Sequence, residues 1–201
     1  MTFKMPPIVR EAWLLDQQIN ERGILVDREL LVSAMAMAGR AKQELHEEVR
    51  RLTYVENPNS NAQIIAWLRM HKYPFPSLEK SWVARALADG VPEEVKRVLV
   101  LRSEAARTSD SKLEAILNRV SSDGRLRQLF NYMGASRTGR WTSGSPQFQN
   151  LAKPLFEDKD GSRLKLAREL IRAGNYEAVH KEFGSVVDAV VSIIQIGRAH
   201  V

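Results

Sequence analysis

Leu31, Ala34, Ala38, Ala41, Leu45, Val49 and Leu52 recur at steps of three and four. That spacing keeps them on one face of a single α-helix. Asp27 stands where its carboxylate can accept from the open amides of the first turn, and is read as the N-cap. Hydrophobic residues make up 44% of the sequence and charged residues 27%, enough apolar material for a core. There is no cysteine, which excludes disulfides, thiolate metal sites and a cysteine nucleophile. The start, Met1 to Pro7, lacks the apolar run of a signal peptide. The longest apolar stretch, residues 186–194, is broken by Asp188 and falls short of the ~20 residues that span a bilayer. A soluble protein that meets no membrane is expected.

Residues 11–20 carry a helical pattern stopped at Gly23. Asn57-Pro58-Asn59 is a turn, and Ser60 with Gln63 forms a capping-box pattern before Ile64, Trp67 and Leu68. Pro74 and Pro76 break the chain, and a helix follows around residues 82–88. Pro92, Glu93 and Glu94 suit a helix start, through the ring's fixed φ and the carboxylates' fit to the dipole. The polar stretch 108–111 either interrupts that helix or caps another carrying Leu113, Ile116, Leu117 and Val120. The character changes at Asp123-Gly124. Residues 126–133 read as a short apolar strand, Gly134-Ala135-Ser136 as a turn, and residues 137–142 as the returning strand of a hairpin. Helices resume over residues 164–172, 176–182 and 186–194. The expected class is mainly α with a small β-hairpin (α+β), divided near Asp123-Gly124.

The charge is unevenly spread. The whole chain carries 30 Lys and Arg against 24 Asp and Glu, or +6. Residues 96–155 hold 11 basic and four acidic side chains, a net +7, which leaves −1 for the remainder. From Gly124 to Phe156 there is no carboxylate. Such a field favours polyanions, nucleic acid first, through counterion release. A solvated basic face would give the same count.

Inside this window stand Gly134-Ala135, Thr138-Gly139-Arg140-Trp141, Gln149-Asn150-Leu151 and Pro154. Upstream are Ile24-Leu25-Val26-Asp27, Asn57-Pro58-Asn59-Ser60 and Thr108-Ser109-Asp110-Ser111-Lys112-Leu113. Together they resemble the family A (DNA polymerase I-like) DNA polymerases, most closely the bacteriophage type, over residues 7–195. The resemblance implies a connector from an exonuclease-side region at residues 1–25, a helical thumb at 26–123, and the first part of an incomplete polymerase palm at 124–195. Residues 196–201 read as the translation of a common sequencing-library adapter, so the chain is expected to be a fragment.

In that family the arginine of the Thr-Gly-Arg motif reaches the primer terminus from the minor groove, a role the resemblance gives to Arg140. Arg137, Thr138 and Gly139 share the motif, and Gln149 and Asn150 match positions that contact the primer–template. Donors suit this task, because purine N3 and pyrimidine O2 accept at similar places in every base pair. Gly139 is expected to supply a backbone shape or approach that a side chain would block. Trp141 is expected in the core. Ser109 and Lys112 match the thumb, where a hydroxyl and an ammonium three residues apart can reach phosphate oxygens. A helix cap beside a solvated lysine explains that pair equally well.

The complete enzyme is expected to use Mg²⁺ and deoxynucleotides on primer–template DNA, as a monomer in the cytoplasm of a bacterial host. No catalytic residue and no metal site is assigned to these 201 residues. Glu157, Asp158 and Asp160 read as a solvated loop, and the histidines show no ligand spacing. The alternative is a stand-alone helical DNA-binding accessory protein without catalysis.

Overall fold

The apolar stripe forms α2 (Arg28–Thr53), a helix of 26 residues that serves as the spine. The computed structural model describes residues 6–107, 110–144, 147 and 155–194. In chain order the other elements are α1 (Pro7–Arg22), β1 (Ile24–Leu25), α3 (Asn61–Met70), α4 (Lys80–Asp89), α5 (Glu93–Ala105), α6 (Asp110–Leu117), β2 (Arg125–Leu126), β3 (Phe130–Ala135), β4 (Arg140–Ser143), α7 (Ser162–Arg172), α8 (Tyr176–Phe183) and α9 (Val186–Ile193). The protein is mainly helical with two small antiparallel strand pairs, the α+β class expected. No described helix is long and apolar enough to cross a membrane.

Asp27 caps α2 by accepting from the Leu30 amide at 3.0 Å. Burial pushes its carboxyl up, but the Leu30 amide and the Arg172 guanidinium outweigh that and hold it below its ordinary value. At the far end the chain leaves the helix at Tyr54, whose amide donates to the Arg50 carbonyl at 2.8 Å.

Two cores share this spine. The first half of α2, with Leu31, Ala34 and Ala38, packs on Leu113, Ile116, Leu126, Leu129, Ile171 and the valines of α9. The second half, through Val49, packs on Ile64, Trp67, Leu68, Val95 and Leu99. Leu45 touches both. Each such aliphatic side chain contributes about 1.5–3 kcal/mol on burial. α9 is buried around most of its circumference, which its near-continuous apolar sequence demands. The first core draws residues from both sides of Asp123-Gly124, so packing runs continuously across that point.

Polar ties fasten α7–α9 to the earlier helices. Arg172 pairs with Asp27, Arg40 with Glu177 at 2.7 Å, and Arg107 with Asp188 at 3.1 Å. The Tyr176 hydroxyl donates to Glu44 at 2.7 Å, which with Arg40 holds the Glu44 carboxyl below its ordinary value against the upward pull of burial.

Three local expectations change. The Ser60 hydroxyl does accept from the Gln63 amide, but Gln63 accepts from the Asn57 amide at 2.9 Å, because the Asn57 carbonyl already takes the Ser60 amide. The hairpin turns at residues 136–139, not at 134–136: Gly139 holds φ +62°, while Gly134 lies within β3. A second strand pair, β1 with β2, matches Ile24 to Leu126 and Leu25 to Arg125.

Candidate nucleic-acid interface

The hairpin that carries the Thr-Gly-Arg residues grows out of the first core. At its root Leu129 is buried and Phe130 packs on the core edge. Asn20 of α1 holds that root: its Nδ2 donates to the Phe130 carbonyl at 2.8 Å, and its Oδ1 accepts from the Phe130 amide at 2.9 Å. Those are the two bonds a neighbouring antiparallel strand makes, so one amide side chain substitutes for a strand. Arg127 Nε donates to the Glu21 carbonyl at 2.8 Å and Arg125 Nη1 to the Arg22 carbonyl at 3.3 Å. The end of α1 and the base of the hairpin are therefore one unit. One turn before Asn20, Asp16 is buried and, among the described residues, accepts a single bond, from Gln17 Nε2 at 3.0 Å.

In the hairpin Phe130 faces Ser143, Asn131 faces Thr142, and Ala135 faces Arg140. β3 therefore crosses four residue steps where β4 crosses two, a bulge centred on Met133 at φ +52°. Arg137, Thr138, Gly139 and Arg140 are all exposed. The Thr138 and Gly139 amides both donate to the Ala135 carbonyl, at 3.1 and 2.8 Å, which fixes the turn. A Cβ on Gly139 would meet Met133 at 3.7 Å, ordinary contact, so its requirement is the positive φ rather than space.

Trp141 is not in the core. It is 39% exposed and stands edge-to-face on Tyr132, with ring centroids 6.0 Å apart. The hairpin projects past the first core, so the inward face that buries Ser143 at the root has nothing to cover at the tip, where Met133 is 52% exposed.

The basic window divides into two sets. Arg97 pairs with Glu48 at 2.6 Å, Arg107 with Asp188, and Arg127 with Asp123, while Arg102 donates to the Pro58 carbonyl at 2.6 Å. These guanidiniums hold the fold together. Lys112 on α6, Arg119 just beyond it, and Arg137 and Arg140 on the hairpin are exposed, with no side-chain partner among the described residues. The structure thus brings Arg137 to Arg140 into one exposed turn and places Lys112 on a separate helix. Ser109, Gln149 and Asn150 lie outside the described residues. Asn20 had no signal in the sequence, since an asparagine in a helix's last turn looks like an ordinary surface residue.

The Arg127 guanidinium holds the Asp123 carboxyl at about 2, against an ordinary 3.8. A carboxyl held low in the folded state stabilises above its unfolded value and loses that stabilisation as pH falls toward the folded one. The stabilisation from the Asp123–Arg127 tie is therefore full above pH ~4 and falls away between ~4 and ~2, the tie itself being lost as the carboxyl protonates near 2. An NMR titration should show Asp123 returning toward 3.8 in Arg127→Ala; an unmoved titration would refute the pairing.

Among the described residues no group of three or more His, Asp or Glu could hold a metal ion. Glu157, Asp158 and Asp160 lie in a loop, as expected, with Glu157 and Asp160 exposed; Asp158 accepts from the Leu164 amide at 2.9 Å and Asp160 from the Ser162 hydroxyl at 2.7 Å, so both also serve the start of α7.

No protein-family model matches the chain, and no solved structure matches it. The chain is similar to "DNA polymerase" of Bacillus phage SP02, with 38% identity over 185 residues. That match takes in 91% of this chain but 28% of the phage protein, so the chain spans little more than a quarter of the length of the curated relative it resembles.

Proposed function

We propose that this chain is the primer–template-holding part of a family A DNA polymerase of bacteriophage type. Residues 26–123 act as the thumb, residues 124–195 open the palm, and residues 1–25 lead into the thumb. The observation that carries this reading is the 38% identity, over 91% of the chain, to the phage DNA polymerase. The exposed guanidiniums of the anchored hairpin, without side-chain partners among the described residues, support it.

In this reading Arg140 donates from the minor-groove side to acceptors that every base pair offers in the same place. Gln149 and Asn150 add donors beside it. Arg137, with Thr138 and Gly139, shapes and charges the turn. Ser109 and Lys112 hold phosphates further along the duplex. The complete enzyme adds deoxynucleotides to a primer 3′ end, a transfer for which Mg²⁺ held by at least two converging carboxylates supplies the chemistry. No group of three or more such ligands is gathered among the described residues, and no catalytic step is assigned to them. The chain acts as a monomer in the host cytoplasm, binding DNA without extending it.

The test is a fluorescence-anisotropy titration of a labelled primer–template with Arg140→Ala. Losing a charge-assisted bond of roughly 1.5 kcal/mol should weaken binding about tenfold. The loss should be equal whichever base pair ends the primer. An unchanged affinity, or a loss confined to one terminal pair, would sink the reading.

A further inference from the structure

The end of α2 displays a side chain that the fold does not need there. Tyr54 is 91% exposed, and its backbone sits at φ +56°. Helices that close in this left-handed shape usually do so on glycine or asparagine, because a Cβ crowds the following carbonyl. For a bulky ring the conformation is an outlier, and an outlier at an exposed position points toward function. Here the strain is accepted and the ring still covers nothing.

Its surroundings carry both charges, with Glu47 and Glu56 exposed as well as two arginines, and they are fixed. Arg50 and Arg51, on the last turn of α2, are exposed and have no side-chain partner among the described residues. Glu48, one turn back, is already held by Arg97 at 2.6 Å. Thr53 ties the last turn by donating to the Val49 carbonyl at 2.7 Å. Arg102 pins the following turn by donating to the Pro58 carbonyl at 2.6 Å, and the Asn59 amide closes it onto Asn57 Oδ1 at 3.0 Å. The ring stands on a rigid knob.

An exposed ring three and four residues after two guanidiniums that have no side-chain partner among the described residues suits one ligand chemistry above others. Bases stack on aromatic rings whatever their sequence, while arginines take the phosphates between them. The interior of a duplex presents no free base face, so such a knob selects an unpaired strand. We propose that Tyr54, Arg50 and Arg51 form a stacking site for single-stranded DNA at the end of α2, separate from the hairpin. It rests on the polymerase reading only for the source of that strand, the unpaired template beyond the primer.

The test uses the full chain, a labelled oligo-dT of about 12 nucleotides and a blunt duplex. Tyr54→Asn removes the ring and supplies a residue that accepts the left-handed shape, so its Tm should equal or exceed the parent's. It should weaken oligo-dT binding roughly tenfold, with Tyr54→Phe within about twofold of the parent and the blunt duplex unchanged. Equal oligo-dT affinity in Tyr54→Asn and the parent would overturn the site, as would Tyr54→Phe binding as poorly as Tyr54→Asn. An equal loss on the blunt duplex would overturn it in favour of a duplex contact. Arg140→Ala reports separately: if it leaves primer–template binding intact while Tyr54→Asn still weakens oligo-dT, the hairpin reading fails and the stacking site stands.

Discussion

Gly134→Ala is expected to break the register of the hairpin, at a cost of about 2–3 kcal/mol. A Cβ at this position would lie 1.9 Å from Thr142 Oγ1, 3.0 Å from its Cβ and 3.1 Å from its Cγ2. Rotating the threonine exchanges one clash for another, because a branched side chain always points one heavy atom into that space or leaves Cβ too near. Gly134 has no positive φ, so the requirement is the closeness of two backbones rather than the shape of one. Thr142→Ala removes both offending outer atoms, and the double variant should recover most of the loss. Denaturant unfolding of all four proteins gives the coupling; strictly additive costs would show that the contact is not the cause. Affinity for primer–template should follow the same pattern, falling in Gly134→Ala and returning in the double variant, because Arg137 and Arg140 ride on this register.

Asn20→Ala is the second large effect. It removes both bonds that the side chain makes to Phe130 and leaves an amide and a carbonyl without partners at the edge of the core. We expect a loss of about 2–4 kcal/mol, large for a single polar side chain. Asn20→Asp keeps the acceptor and loses the donor, and should fall between. Native-state hydrogen exchange gives the local reading: the Phe130 amide should exchange far faster in Asn20→Ala, while Leu68, in the second core, should not change its protection relative to global stability. A Phe130 amide that stays as slow as in the parent would contradict the proposed clamp.

The main helix was the easiest part to read in advance. The stripe from Leu31 to Leu52 and the cap at Asp27 announce α2 almost to the residue, because period and capping are local properties. The hairpin was legible as a hairpin, but its turn was not. Gly134 and Gly139 look alike in a sequence, and only the fold shows that one serves a close approach and the other a left-handed turn. β1 and β2 left no trace, since two-residue strands have no period and their partners stand about a hundred positions apart. A large ring such as Trp141 is expected in a core, yet here it is 39% exposed, carried by the hairpin away from side chains that would cover it. The free and engaged arginines are indistinguishable in the sequence for the same reason: Arg97 is neutralised by Glu48, a partner 49 residues away.

α2 is also a lever. At 26 residues it is about 39 Å long, so a tilt of about 10° at its root carries the other end through roughly 7 Å, close to two nucleotide steps. The contacts that set the angle lie along the first half of the helix, where Leu31, Ala34 and Ala38 pack on Leu113, Ile171 and the valines of α9, while the swing is largest at Tyr54. A substitution in that packing, at Ala34 or Ala38, can thus misdirect a ring that it never touches.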